Sequence, residues 1–299
     1  MTSWKGKTRG GLTGYKIFIR VLKFSGIKTS YVLLRFVVLY YFIFYPRSFK
    51  CIFSFYRKRL KFGFFPSVIF VYRNYFALGM VLLDKIAIMA GLNTKFEFDF
   101  EGEEFLSQMV EKKTGGLLIS AHVGNFEMAA FMFKRLNTTV NIIMYDAEHE
   151  KVKDYLSSVI KRNFNVIVIK EDNSHIYELN KALSEKQIVC IHGDRFLKGS
   201  KTMTCDFLGG KAEFPSGPFY LALKYNVPVS FVFAMKRDRN SYHFSATRPE
   251  YYNQQGNQIL RDKMILSLIV KYTARLEEIL RNYPAQWFNY YNFWETDEK

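Results

Sequence analysis

A histidine and a glutamate with four residues between them, His122 and Glu127, form the pair in the sequence that is best suited to chemistry. His122 directly follows the apolar run 117–121, and Gly124 and Asn125 separate it from a helical pattern that contains Glu127. On one continuous helix the two side chains would diverge, because each residue turns the helix by about 100°. With a glycine turn between them they can face each other, as a general base and its orienting carboxylate do. A purely structural contact between the two remains the alternative.

A second charged group follows the apolar run 187–192, where Gly193, Asp194 and Arg195 stand in succession. The arginine fork can bind phosphate through two hydrogen bonds, and a glycine lets a ligand approach the backbone. The alternative is a local ion pair between Asp194 and Arg195. His192 directly precedes this group, and its position is compatible with a side chain packed against its neighbours.

Both apolar runs have the composition of buried strands, and their polar groups follow at the carboxyl ends. In open α/β sheets, ligands bind beyond these ends. From residue 95 onward the pattern alternates between strands and helices, which predicts a mixed α/β sheet flanked by helices. Ser216 is predicted to cap a helix over 216–225, and a long helix is predicted over 258–283.

The basic charge lies in one part of the 299-residue chain, which has a net charge of +16. The first 83 residues hold 15 lysines and arginines and no acid, whereas the remainder has 28 basic and 27 acidic residues. The basic part also contains the apolar run 31–45, a combination that favours an anionic membrane surface over nucleic acid. We therefore divide the chain into membrane-docking helices over 1–92 and an α/β catalytic domain over 93–299.

The best membrane segment, 29–45, is short for a spanning helix and contains Arg35. A full span and a helix in the membrane interface are both compatible with it. Pro46 is predicted to end this helix and Pro66 the next one.

Cysteines and the remaining histidines lack the spacing of a metal site, so the sequence predicts reduced thiols, surface histidines and no metal. They are Cys51, Cys190, Cys205, His149, His175 and His243.

The order of the motifs resembles the bacterial lipid A late acyltransferase branch of the lysophospholipid acyltransferase superfamily. The motifs are His122-x4-Glu127, Gly-Asp-Arg at 193–195, Phe207-Leu-Gly, Pro215-x-Gly217 and Asn226-Val-Pro-Val, followed by an aromatic segment at 284–294. The third block here is Gly-Asp-Arg-Phe, where better-known members have a pattern like Asp-x-Asp-x-Gly. This departure leaves the acceptor open.

The resemblance implies an enzyme that moves a fatty acyl group from an acyl carrier protein or coenzyme A thioester to a hydroxyl of a lipid A precursor-like lipid. It places the reaction at the cytoplasmic face of the bacterial inner membrane and requires no cofactor beyond the thioester. His122 would be the base and Glu127 would orient it. The implied substrate-binding residues are Gly124, Asn125, Arg162, Gly193, Asp194 and Arg195, with backbone N–H groups near 124–125 for the oxyanion.

Other functions stay open beside this one. Acylation of another lipid, such as a lysophospholipid, an aminolipid or a polyene pigment, fits the same residues. A non-catalytic protein that binds anionic lipid would also explain the basic segment. Nucleic-acid binding is the least favoured class, and the length of the acyl chain is left undetermined.

Overall fold

The computed structural model describes residues 12–92, 94–125, 138–145, 164–169, 172, 174–196, 199–252 and 257–294. Two helical patterns in the alternation predicted from residue 95 onward, at 126–133 and 148–163, lie outside these residues, as does His149.

A mixed sheet forms the centre of the described structure. Its strands are β1 (Glu97–Glu101), β2 (Gly116–Ser120), β3 (Val140–Tyr145), β4 (Asn165–Ile169), β5 (Ile188–His192), β8 (Val229–Lys236) and β9 (Ser241–Ala246), while β6 (Thr202–Phe207) and β7 (Gly210–Pro215) form a separate hairpin. The seven strands run in the order β1-β9-β8-β2-β5-β3-β4. Only the β8–β9 pair in this sheet is antiparallel among the described residues. The predicted mixed α/β sheet is confirmed.

The N-terminal part is helical, with α1 (Leu12–Phe44), α2 (Pro46–Ser54), a π-helical turn (Phe55–Arg59) and α3 (Phe64–Met89). Helix α1 is longer than the predicted segment and kinks at Gly26, whose φ of 76° suits glycine. The helix ends just before Pro46, as predicted. Pro66 does not end a helix but lies in the first turn of α3, where a missing N–H breaks no helical bond.

The remaining helices are α4 (Glu103–Glu111), α5 (His175–Ser184), α6 (Gly217–Tyr225) and α7 (Gln258–Asn282), and a 3-10 turn (Pro284–Gln286) follows. Ser216 occupies the N-cap position of α6, as predicted, but its side chain does not cap the helix. Its backbone is already helical, and its hydroxyl donates to the carbonyl oxygen of Lys201 at 3.0 Å.

The N-terminal helices share the core of the sheet. Ile52, Phe55, Tyr56 and Val71 lie in the same apolar cluster as β2 and α7. A buried polar group also joins the two parts, because Nζ of Lys236 lies 2.6 Å from Oδ2 of Asp84. A second apolar cluster consists of buried residues of α1 and α3 alone, so the N-terminal helices also have a core of their own. The division at residue 92 stays a prediction.

Two described helical segments, Thr13–Phe44 and Phe64–Ile88, are long and apolar enough to cross a membrane by length and composition. Helix α1 exposes an apolar face at helical spacing, formed by Val32, Phe36, Tyr40, Ile43 and Phe44. Helix α3 instead buries Asn74 and Asp84, which bond to other elements. One face of α3 is therefore packed into the protein.

Candidate active site

The topology brings the two sequence motifs together. Strands β2 and β5 are parallel neighbours, and Ser120 pairs with His192 at the ends of the two strands. The chain leaves both strands at the same edge of the sheet, so His122 and Asp194 lie in adjacent loops. The N–H of Gly193 donates to the carbonyl oxygen of Ser120 at 2.8 Å and fastens one loop to the other.

His122 and Asp194 form a hydrogen-bonded dyad. Nδ1 of His122 lies 2.8 Å from Oδ1 of Asp194, and the backbone N–H of His122 donates to Oδ2 at 3.0 Å. The histidine side chain is 24% exposed and the carboxylate 1%. The acid is therefore enclosed, whereas part of the imidazole reaches the surface. A histidine held in this way has a fixed ring orientation and a fixed tautomer.

The electrostatics of the dyad favour a neutral imidazole beside an ionised acid. Burial lowers the pKa of His122, the Arg195 guanidinium lowers it further, and Asp194 offsets these effects only in part. Burial alone would raise the pKa of Asp194. The charges of His122 and Arg195 and the bond from His122 outweigh it, so this pKa lies well below its usual range. A neutral histidine can accept a proton, as a general base must.

A second histidine lies against the first. The ring centroids of His192 and His122 are 4.1 Å apart, with the planes inclined by 54°. Burial and the neighbouring His122 lower the pKa of His192 well below the usual value. The interpretation of His192 as a packed residue agrees with its half-buried position at the end of β5.

The glycines at 124 and 193 allow the backbone of each loop to pack closely against neighbouring residues. Gly124 has a φ of +55°, and a Cβ there would lie 2.1 Å from the carbonyl oxygen of Ala234. At Gly193 a Cβ would lie 2.9 Å from Cγ2 of Ile119 and 3.1 Å from Cζ of Tyr272. Both loops therefore pass too close to their neighbours for a larger residue.

The predicted oxyanion role of the amides at 124–125 is wrong for these two N–H groups. The N–H of Gly124 donates to the carbonyl oxygen of Gln286 at 2.9 Å, and that of Asn125 to Ala234 at 2.7 Å. The Asn125 side chain is also buried and donates to the carbonyl oxygen of Val81 at 3.2 Å. Both residues hold the loop that carries His122.

Arg195 lies beside the dyad, because its charge acts on both His122 and Asp194. Its Nη2 donates to the carbonyl oxygen of Phe288 at 2.6 Å. Asp194, which was predicted to bind substrate and in the alternative interpretation pairs with Arg195, bonds to His122 and to the indole of Trp287. The phosphate-binding role of Arg195 stays a prediction.

The sequence interpretation assigned no role to Trp287, whose Nε1–H donates to Oδ2 of Asp194 at 3.3 Å. It also gave the orientation of His122 to Glu127 rather than to Asp194. The one available signal was that both loops directly follow apolar runs with the composition of buried strands. Glu127 and Arg162 lie outside the described residues, so their predicted roles stay predictions.

In the described part of the chain, no group of three or more His, Cys, Asp or Glu residues could hold a metal ion. His243 is less exposed than predicted, because it sits on β9 with Nδ1 2.9 Å from Oδ2 of Asp99 on β1. The three cysteines are free thiols.

Comparisons with known proteins give a family. The model of the bacterial lipid A biosynthesis acyltransferase family matches residues 70–296. Among solved structures, the 1-acyl-sn-glycerophosphate (LPA) acyltransferase PlsC from Thermotoga maritima is 14% identical, and the match covers 85% of this chain and 98% of that one with a TM-score of 0.40. A TM-score this low carries no conclusion about this chain. The search of curated proteins found no match.

The family match spans most of the chain and includes β2, β5, both loops of the dyad and Trp287. It also begins inside α3, so the matched region crosses the predicted boundary at residue 92. The chain therefore belongs to the bacterial lipid A biosynthesis acyltransferase family, and it is an acyltransferase enzyme.

Proposed function

We propose that the protein transfers a fatty acyl chain from a thioester to a hydroxyl of a lipid A precursor-like acceptor, with His122 as general base. The observation that carries this proposal is the 2.8 Å pair of His122 and Asp194 beyond the carboxyl ends of two parallel strands. The family supplies the reaction class, lipid acyl transfer. The donor, acyl carrier protein or coenzyme A, and the lipid A-like acceptor are the finer part of the proposal.

Asp194 holds the proton of His122 on Nδ1, so Nε2 takes the proton of the acceptor hydroxyl. The hydroxyl oxygen then forms a bond to the thioester carbonyl carbon, and the carbonyl oxygen becomes an oxyanion. When the C–S bond breaks, the sulfur leaves with the bonding pair and receives the proton from His122. The products are the ester and the thiol, and the imidazole is neutral again.

Arg195 contributes positive charge beside this reaction. Burial and then the charge of Arg195 lower the pKa of His122, and both favour the neutral imidazole. A phosphate of donor or acceptor near the guanidinium would gain a charge-assisted hydrogen bond. This agrees with a phosphorylated substrate of the lipid A type.

The exposed apolar face of α1 supports docking to an anionic membrane, which we place at the cytoplasmic face of a bacterial inner membrane. The start of α3 adds the exposed Phe64 and Phe65. Arg57, Lys58 and Lys61 lie between these helices in the sequence and carry the charge that anionic lipid attracts. Lipid-embedded acceptors would thus meet the enzyme at the bilayer surface.

His122→Ala tests the proposal. We expect transfer from a labelled thioester into extracted lipid to fall by about 10²–10⁴-fold, the usual contribution of general-base catalysis. Circular dichroism and membrane sedimentation should be unchanged. The matched control is His243→Ala, which removes another histidine hydrogen-bonded to an aspartate but at the edge of the sheet formed by β1 and β9.

Mass spectrometry of the labelled product identifies the acceptor and the acyl length. A product on a lysophospholipid or another lipid would replace the lipid A part of the proposal and keep the reaction. Wild-type transfer by a folded His122→Ala protein would exclude His122 as the base. A wild-type protein that binds anionic vesicles but transfers no acyl group from either thioester would exclude the function.

A further inference from the structure

The chain after α7 crosses the catalytic loop as a strap, which we define as residues 284–288. The N–H of Phe288 donates to the carbonyl oxygen of His122 at 2.9 Å, and the carbonyl oxygen of Gln286 accepts from Gly124 at 2.9 Å. These two bonds flank an antiparallel bridge between Val123 and Trp287. The strap therefore pairs with the loop of the base as a short strand would.

Other elements hold the strap in place. The side chain of Asn74 on α3 donates to the carbonyl oxygens of Ala285 at 3.1 Å and Trp287 at 2.8 Å. The Gln286 amide donates to the carbonyl oxygen of Lys236 at 2.6 Å and accepts from its N–H at 2.9 Å. The strap is thus tied to α3, to β8 and to the dyad at once.

Trp287 is the strap residue whose side chain reaches the dyad. Its indole is buried and lies between aromatic rings, with ring centroids 5.0 Å from Phe55 and 6.0 Å from Phe207. The rings fix the direction of Nε1–H, which points at Oδ2 of Asp194. Oδ2 already accepts the backbone N–H of His122, so two donors meet this oxygen and leave Oδ1 to face the imidazole.

We propose that Trp287 is a positioning residue for acyl transfer, which fixes the rotamer of the Asp194 carboxylate and thereby the orientation and proton affinity of His122. The inference rests on the proposed role of His122 as the base. It extends the site to the C-terminal strap, where no ionisable group marks a function.

The hydrogen bond from Trp287 to Asp194 determines in which direction its loss shifts the pKa of His122. The indole N–H stabilises the carboxylate, so its loss makes Asp194 a stronger acceptor for the proton on Nδ1. A stronger acceptor stabilises the imidazolium and raises the pKa of His122. Because the neutral base is the active form, the acid limb of the rate profile then moves to higher pH. The bond from the neutral indole is long, at 3.3 Å, and acts on His122 only through Asp194, so we expect a shift of about half a pH unit.

A comparison of the Trp287→Phe and Trp294→Phe variants of the full-length enzyme tests the inference. Trp294 belongs to the same aromatic cluster, is equally buried, and its Nε1–H donates to the carbonyl oxygen of Phe207 at 3.1 Å. Each change removes one indole, but only the first touches the dyad. We expect Trp287→Phe to lower kcat by about tenfold or more with the acid limb shifted upward by about half a pH unit. Trp294→Phe should keep the wild-type profile.

Equal profiles for the two folded variants and the wild type would overturn the inference, as would the same shift in both. If Trp287→Phe does not fold, indole NMR of the unsubstituted protein provides the measurement. The chain has three tryptophans, and the Trp294→Phe spectrum assigns one of the indole signals. The Trp287 Nε1–H signal should follow the titration of His122, which His122→Gln removes, and a signal that does not move would contradict the inference.

Failure of the proposed function has a different outcome. It appears as wild-type transfer by His122→Ala, whatever the tryptophan variants do. Loss of activity in His122→Ala together with an unshifted Trp287→Phe profile would refute only the role of Trp287.

Discussion

Asp194→Asn removes one negative charge from the dyad and almost no volume, and we expect it to slow acyl transfer by about 10²–10⁴-fold. The carboxylate accepts three hydrogen bonds, from Nδ1 of His122 at 2.8 Å, from its backbone N–H at 3.0 Å and from Nε1 of Trp287 at 3.3 Å. An amide has one oxygen for these donors. The size of the loss in rate depends on which of the three donors the amide oxygen can no longer accept.

If the oxygen of the substituted amide took the place of Oδ2, it would keep the backbone and indole donors, and the NH₂ group would face Nδ1. The imidazole would then carry its proton on Nε2 and could not accept one there. In the flipped amide, the oxygen would keep the correct tautomer, but the NH₂ group would face two other donors. One arrangement gives His122 the wrong tautomer, and the other places the NH₂ group against two donors and strains the loop. The loss of activity should therefore appear in kcat.

The assay is the initial rate of transfer from a labelled thioester into acceptor lipid, with the purified variant shown to be folded by circular dichroism. The matched control is Asp99→Asn, which changes the carboxylate that bonds to His243 at the edge of the sheet. We expect the control to keep wild-type rates. A folded Asp194→Asn enzyme within about threefold of wild type, beside a strongly impaired Glu127→Gln, would show that Glu127 orients the base and refute the dyad.

The remaining predictions concern pH dependence, membrane docking and stability. Because burial and then Arg195 lower the pKa of His122, the acid limb of kcat/KM should lie below the ordinary histidine value of about 6.5, which a pH–rate profile measures. Replacing the exposed Phe36 and Phe65 by serine should keep the fold and weaken binding to anionic vesicles by roughly tenfold or more in a sedimentation assay. Lys236→Met should lower the free energy of unfolding by about 3–5 kcal/mol, measured by denaturant titration, because it leaves Asp84 buried without its ion pair.

Each of these three predictions has its own contradicting result. An acid limb above about 7 would contradict a neutral, buried base. Vesicle binding that survives the two serines but is lost at high salt would place docking in the basic residues alone. A Lys236→Met protein as stable as wild type would show that Asp84 is protonated or solvated instead of paired.

The strands of the site could be predicted because their signals are local. An apolar run followed by glycine and polar residues indicates a buried strand and its end, and the predicted bounds of β2 and β5 agree closely with the structure. Pro66 was misjudged because a proline ends one helix and begins another with the same residue type. The position of the preceding Gly63 decides between the two, and its extended backbone starts α3.

The pairing within the site could not be predicted from spacing. His122 and Asp194 are far apart in sequence and meet only because β2 and β5 are neighbours in the sheet. Strand order depends on tertiary packing, which hydrophobic periodicity does not encode. Trp287 is more distant still, and its aromatic surroundings in the sequence indicate packing rather than a hydrogen bond to an acid.

Helix α3 connects the exposed apolar surface to the dyad. It begins with the exposed Phe64 and Phe65, and about ten residues further along Asn74 holds the strap. A continuous helix rises about 1.5 Å per residue, so these two points are separated by about 15 Å along its axis. If the start of α3 rests in a bilayer surface with the helix axis upright, the strap lies about 15 Å above that surface. The lipid A-like acceptor that we propose has a large sugar headgroup, which suits a dyad above the bilayer surface.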